Sequence, residues 1–351
     1  MYSNITVSQV SLPNSPCETK TLVDQNGNKY VELDCHFITS YYFTENYSVY
    51  QCSKQNSQGC MGKLASKDQS MMAMVIQPHS CRWSYDEASK FCYLRYGVNK
   101  YIKTGYHPPV QTWKDRWNLL WSIHSETGNI WTHAIGIIIA ACYLWNTVVF
   151  LDSSDYWIWV FHDFVSFTLF VNSTIYHWLH TCSQRWCINL TSLDHCGLAG
   201  FALVSHSTWA YYGWRHKAFW FYFYAGILCT LFFLKYVIAM KNVVRQNFDY
   251  KLEDVRCKLI FASHLTVFFS QFHQLLAYQT CNFYSSECNI FIIFTLLCYW
   301  LGFITFIMQV PEALWPGKFD TIFNGHQIMH IMIVTCFILQ RYAFDCLRDL
   351  L

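Results

Sequence analysis

His326-Gln-Ile-Met-His330 stands near the start of the last apolar stretch of the chain. Two imidazoles four residues apart lie on one face of a helix, so both can turn toward one metal ion if a third ligand comes from another helix. Ser173-Thr-Ile-Tyr-His177 closes an earlier apolar stretch, and Asp194 lies near the start of the next. His177 is the candidate third ligand. Three neutral imidazoles suit zinc better than hard cations such as magnesium, and a three-ligand site keeps a fourth position for water. Zinc in such a site activates water at neutral pH, and a nearby carboxylate can take its proton. Asp194 is the candidate for that role. Ser173, one turn before His177 on the same face, is the candidate for orienting the water or the reacting group.

Membrane helices must position these residues. The chain is 53% hydrophobic, 19% aromatic and only 13% charged, where a soluble domain carries about 25% charged residues. Apolar stretches near the ~20 residues that cross a bilayer as a helix fall at Ile130–Phe150, Trp157–Leu179, Ser192–Tyr212, Phe219–Ala239, Leu259–Tyr278, Ile290–Met308 and Ile322–Arg341. Backbone groups in hydrocarbon must be satisfied within the segment, and the alternation of a membrane barrel is missing, so the expected fold is an all-α bundle of seven spans. Tryptophans such as Trp131, Trp157, Trp178, Trp220 and Trp300 crowd the ends of the stretches, at the headgroup depth amphipathic rings prefer. In seven alternating spans the second ends, the third begins and the seventh begins at one surface. His177, Asp194, His326 and His330 therefore share a leaflet.

Each of these residues also has an ordinary reading. Histidines in membrane helices often serve as hydrogen-bonded packing, and an intramembrane Asp can pair with a helix end or a basic residue. Bis-histidine haem ligation could use His177 with His326, but the close His326/His330 pair and Asp194 fit a water-bearing zinc better. His133, His162, His206, His264 and His273 show no shared spacing and read as structural.

Short-loop charge sets the expected orientation. Lys103, Lys114, Arg116, Arg185, Lys241, Arg245, Lys251, Arg256, Lys258 and Lys318 fall on one side, against Arg215, Lys217, Arg341 and Arg348 on the other. By the positive-inside rule the N-terminus is cytoplasmic and the C-terminus outside, the reverse of a G-protein-coupled receptor. Residues 1–100 form a polar region with six cysteines (Cys17, Cys35, Cys52, Cys60, Cys81, Cys92) and sequons at Asn4 and Asn46. Those features suit an extracellular disulfide-linked domain; the charge rule outweighs them here, and the cysteines are read as free thiols. No cleavable signal peptide is visible at the start. Residues 101–129 form a juxtamembrane segment in which Trp113, Trp117, Leu120 and Trp121 share one face of an expected interfacial helix. The membrane domain covers 130–341, and 342–351 is a short tail. No nucleic-acid partner is expected from a net charge of +2.

Several ordered motifs resemble the progestin and adipoQ receptor family, which includes adiponectin receptors and hemolysin III-like proteins. Gly105-Tyr-His-Pro-Pro109 resembles its G-Y-x-P segment, and Glu126-x-x-Asn129-Ile-Trp-Thr-His133 its E-x-x-N-[IV]-[WY]-[TS]-H block. Ser173-x-x-x-His177 with Asp194, then His326-Gln-x-x-His330, resemble the S-x-x-x-H…D-Y-x-G and H-Q-x-x-H blocks. The likeness covers about residues 104 to 341. It implies a seven-helix bundle with cytoplasmic N-terminus, zinc held by His177, His326 and His330, and Asp194 and Ser173 around the zinc-bound water. Glu126, Asn129 and His133 are read first as structural. His195 replaces the family's Tyr and Gly325 its Ser. The implied protein is a plasma-membrane receptor of adiponectin-receptor type acting in lipid metabolism, with ceramidase-like amide hydrolysis as an intrinsic activity. The alternative is a receptor for an adiponectin-like or steroid ligand whose zinc is purely structural. Membrane lipids, an extracellular protein or steroid and further copies of the chain are the partners to consider. A transporter would show paired broken helices, which the sequence lacks.

Overall fold

A computed structural model describes the strand backbones at 6–9, 19–23, 29–33, 38–43, 48–52 and 63–66, and residues 82–89, 98–107, 109, 112–214, 217–245, 250–278 and 286–350. The chain divides into two compact units, one of residues 1–124 with 181–183 and one of 125–180 with 184–351.

In the first unit the strand backbones form a six-stranded antiparallel meander in sequential order: β1 (Thr6–Gln9), β2 (Thr19–Val23), β3 (Lys29–Leu33), β4 (Ile38–Phe43), β5 (Ser48–Cys52) and β6 (Lys63–Ser66). The all-α expectation did not include this sheet. The short helix α1 (Tyr85–Ala88) starts from a capping box in which Ser84 and Glu87 satisfy each other's backbone N–H. Helix α2 (Trp113–Trp121) is capped by Thr112, which accepts from the Asp115 N–H. Trp113, Trp117 and Trp121 are exposed on it, while Leu119 is buried. The side chains of the six N-terminal cysteines, and the sequons at Asn4 and Asn46, lie outside the described residues.

The second unit is helical. Its long helices are α3 (Thr127–Phe150), α4 (Tyr156–Leu179), α5 (Gln184–Trp214), α6 (Ala218–Arg245), α7 (Tyr250–Tyr278), α8 (Ser286–Met308) and α9 (Gly325–Leu350). Each expected span falls on one of them. At 23 to 31 residues they are roughly 35 to 46 Å long, enough to cross a hydrocarbon core about 30 Å thick. Large apolar side chains face outward, among them Ile138, Trp145, Phe161, Phe233, Phe269 and Leu297. Such a surface is tenable in lipid and not in water. Among the described residues six helices, all but α7, are long and apolar enough to span. The first third of α7 carries Lys251, Glu253, Asp254, Arg256 and Lys258.

Helix α5 is central and packs on α4, α6, α7 and α9, while α9 also packs on α3 and α8. Small residues permit the close approaches, as at Gly197, where an added Cβ would lie 3.2 Å from the Leu169 Cα. The middle of the bundle is filled by Ala140, Leu169, Phe170, Phe201, Val334 and Phe337. Toward the C-terminal end of α9, Trp159, Trp209, Tyr212, Ala343, Phe344 and Leu347 form another core. This burial explains why 342–350 continue α9 rather than form the expected tail.

A buried ion pair lies near that core. Arg341 Nη1 stands 3.2 Å from Asp163 Oδ2, Thr147 donates to the same oxygen at 2.7 Å, and the guanidinium lies 3.9 Å from the Trp159 ring. Arg341 is therefore an interior residue, not the loop charge the orientation argument took it for. Arg256 is likewise buried.

Candidate metal centre

The loop before α9 fixes where His326 and His330 begin. Asn324 caps the helix by accepting from the Gln327 N–H at 3.0 Å, and Glu312 accepts from the Gly325 N–H at 2.6 Å. A Cβ on Gly325 would stand 2.5 Å from the Thr305 carbonyl oxygen and 2.9 Å from that of Val310. Backbone cannot yield as a flexible side chain can, so glycine is the residue this approach allows. The Gln327 side chain donates to the carbonyls of Ser125 and Thr321 at 3.1 and 3.0 Å, tying the start of α9 to the start of α3.

Helix α4 brings His177 to the same end. His177, His326 and His330 each offer a ring nitrogen, and the three nitrogens lie within 4.8 Å of one another. A tetrahedral site with Zn–N bonds of ~2.0–2.1 Å sets them about 3.4 Å apart, so modest side-chain rotation closes the cluster. His177 and His330 are buried and His326 half-buried.

Two further contacts select the nitrogens. His177 Nδ1 donates to Glu126 Oε2 at 2.7 Å, leaving its buried Nε2 with no hydrogen-bond partner. His330 Nδ1 donates to the Asn129 carbonyl at 3.2 Å. Both contacts are the outer bonds that ligating histidines make, since they fix the tautomer and aim the other nitrogen inward. Glu126 precedes α3 at the cap position yet makes no capping bond with its side chain; it also accepts from Asn129 Nδ2 at 2.7 Å. His133 stacks on His330 with ring centroids 3.7 Å apart. The donor set and the orphaned Nε2 fit zinc.

Asp194 lies about three turns into α5, because the helix begins at Gln184 and not near Ser192. It is half-buried, beside Ser173 and within electrostatic reach of His177 and Arg256. All five sequence-derived site residues thus meet at one end of the bundle. Glu126, Asn129 and His133, read first as structural, touch the imidazoles. Their depth already put them on that surface, since all three open the first span; the contacts are what the structure adds.

A multi-pass helical membrane protein with three histidines gathered at one end of its bundle is the class these observations define. A profile of the Haemolysin-III related family matches residues 121–341, and the chain belongs to that family. It is 24% identical over 247 residues to the adiponectin receptor protein of Drosophila melanogaster, covering 67% of this chain and 53% of that one. Identity to progestin and adipoQ receptor-like protein 1 of Caenorhabditis elegans is 23%, over 78% of this chain and 63% of the relative. Human membrane progestin receptor alpha is 25% identical, with 69% and 71% covered. The chain spans between half and two thirds of the first two relatives.

Proposed function

We propose that this protein is a zinc-containing seven-helix receptor of the adiponectin-receptor type, resident in the plasma membrane and acting in lipid metabolism through ceramidase-like amide hydrolysis. The observation that carries the reading is the convergence of three imidazoles, two of them aimed by Glu126 and the Asn129 carbonyl. His177, His326 and His330 would hold the metal. Bound there, zinc would supply a Lewis acid for a carbonyl oxygen and activate water at neutral pH.

The chain's own residues divide the remaining work. Glu126 holds the Nδ1 proton of His177, so the ring stays in the ligating tautomer. Ser173 would orient the water or the amide. Asp194 would take a proton from the attacking water and deliver it to the amide nitrogen as the C–N bond breaks. A carboxylate that neighbours the histidines without joining the three-imidazole set favours hydrolysis over a purely structural ion, whose fourth position would be filled by protein.

Helix α7, on which Arg256, Ser263, Ser270, Gln271 and Gln274 are buried, would complete seven spans, with the N-terminus cytoplasmic. An adiponectin-like protein or a steroid would act from outside, as the names of the relatives suggest. The test combines elemental zinc analysis with ceramide hydrolysis by the parent, His330→Ala and Asp194→Ala proteins. Hydrolysis lost in both variants, with zinc lost only in His330→Ala, supports the reading. Zinc in the parent with no hydrolysis by any form would leave the structural-zinc receptor.

A further inference from the structure

A cavity of about 20 Å³ lies among α5, α6, α7 and α8, lined by His195, Lys235, Arg256, Ser263, His264 and Tyr299 with apolar side chains between them. We propose that it binds a small inorganic anion, chloride being the occupant its size and charge select. The volume holds one water-sized guest and is far too small for an acyl chain.

Charge argues for an anion over water. Lys235 is 7% exposed and Arg256 4%, and no carboxylate is among the described residues that line the cavity. The Lys235 Nζ donates to Ser263 Oγ at 2.9 Å. Ser263 in turn donates to the Leu259 carbonyl at 2.9 Å, so the hydroxyl presents a lone pair to the ammonium and brings no negative charge. The ammonium keeps two further N–H donors. Arg256 lies within electrostatic reach of Asp194, and Lys235 is the cation for which the described lining offers no counter-charge. Burying an ammonium without a counter-charge is costly. A single anion beside Lys235 relieves that cost.

The site is independent of the zinc reading and is tested on the full chain in detergent. Thermal unfolding is followed while chloride replaces gluconate at constant ionic strength. The expected result is a saturable rise in Tm of several degrees, absent in Lys235→Met. Equal Tm in the two salts, or a dependence that survives Lys235→Met, would overturn the proposal. So would stabilisation by oleate without stabilisation by chloride, which would point to a lipid carboxylate. Should Lys235→Met fail to fold, anomalous diffraction from bromide-exchanged crystals of the parent decides. A bromide peak beside Lys235 Nζ supports the site, and its absence refutes it.

Discussion

Glu126 stands at the N-cap of α3, where an acid would interact with free backbone N–H groups, and instead directs its carboxylate to His177. That choice gives up a capping bond and gains a fixed tautomer on a candidate ligand. Loss of such an outer partner costs about 10–100-fold in metal affinity. Glu126→Ala is therefore expected to weaken zinc binding by that factor while helical circular dichroism is unchanged, with Glu126→Gln intermediate because its amide oxygen still accepts. Chelator competition measures both, and parent-like affinity in Glu126→Ala would remove the tautomer argument. The convergence of the three histidines was legible because helical spacing and alternating spans determine depth. The orienting residues were not, since no spacing reveals that a carboxylate will turn to an imidazole 51 residues away.

At the scale of elements, α4 and α9 carry the histidines at one end and the Asp163/Arg341 pair farther along. Along α9, His330 and Arg341 are separated by about 16 Å at 1.5 Å per residue. Removing one member of a buried pair leaves an uncompensated charge and costs roughly 3–5 kcal/mol. Arg341→Leu should lower stability by that amount, and adding Asp163→Asn should restore most of it; thermal unfolding of the three proteins checks this, and additive losses would argue against a pair. Gly325→Ala should cost about 1–3 kcal/mol through overpacking against the Thr305 and Val310 carbonyls, read as a lower Tm; a parent-like Tm would mean that the loop relaxes. Among the described residues, apolar runs located the long helices, six of which are apolar enough to span a bilayer. Boundaries were less legible: the mixed polar and apolar segment Gln184–Thr191 extends α5 backward, and burial of Ala343, Phe344 and Leu347 extends α9 forward. Arg341 looked like a loop charge because sequence alone does not pair it with Asp163.

At the scale of the molecule, the outward apolar surface and the family describe a membrane protein, and its three histidines gather at one end of the bundle. If the N-terminus is cytoplasmic, proteases added to intact cells should leave residues 1–100 uncut and cleave them only after permeabilisation. Cleavage from outside would reverse the orientation and favour the disulfide-linked reading of the N-terminal cysteines. Metal content tests the central claim most directly. Elemental analysis of the purified protein should find stoichiometric zinc in the parent and none in His330→Ala; a folded parent without zinc, or full zinc retained in His330→Ala, would contradict it.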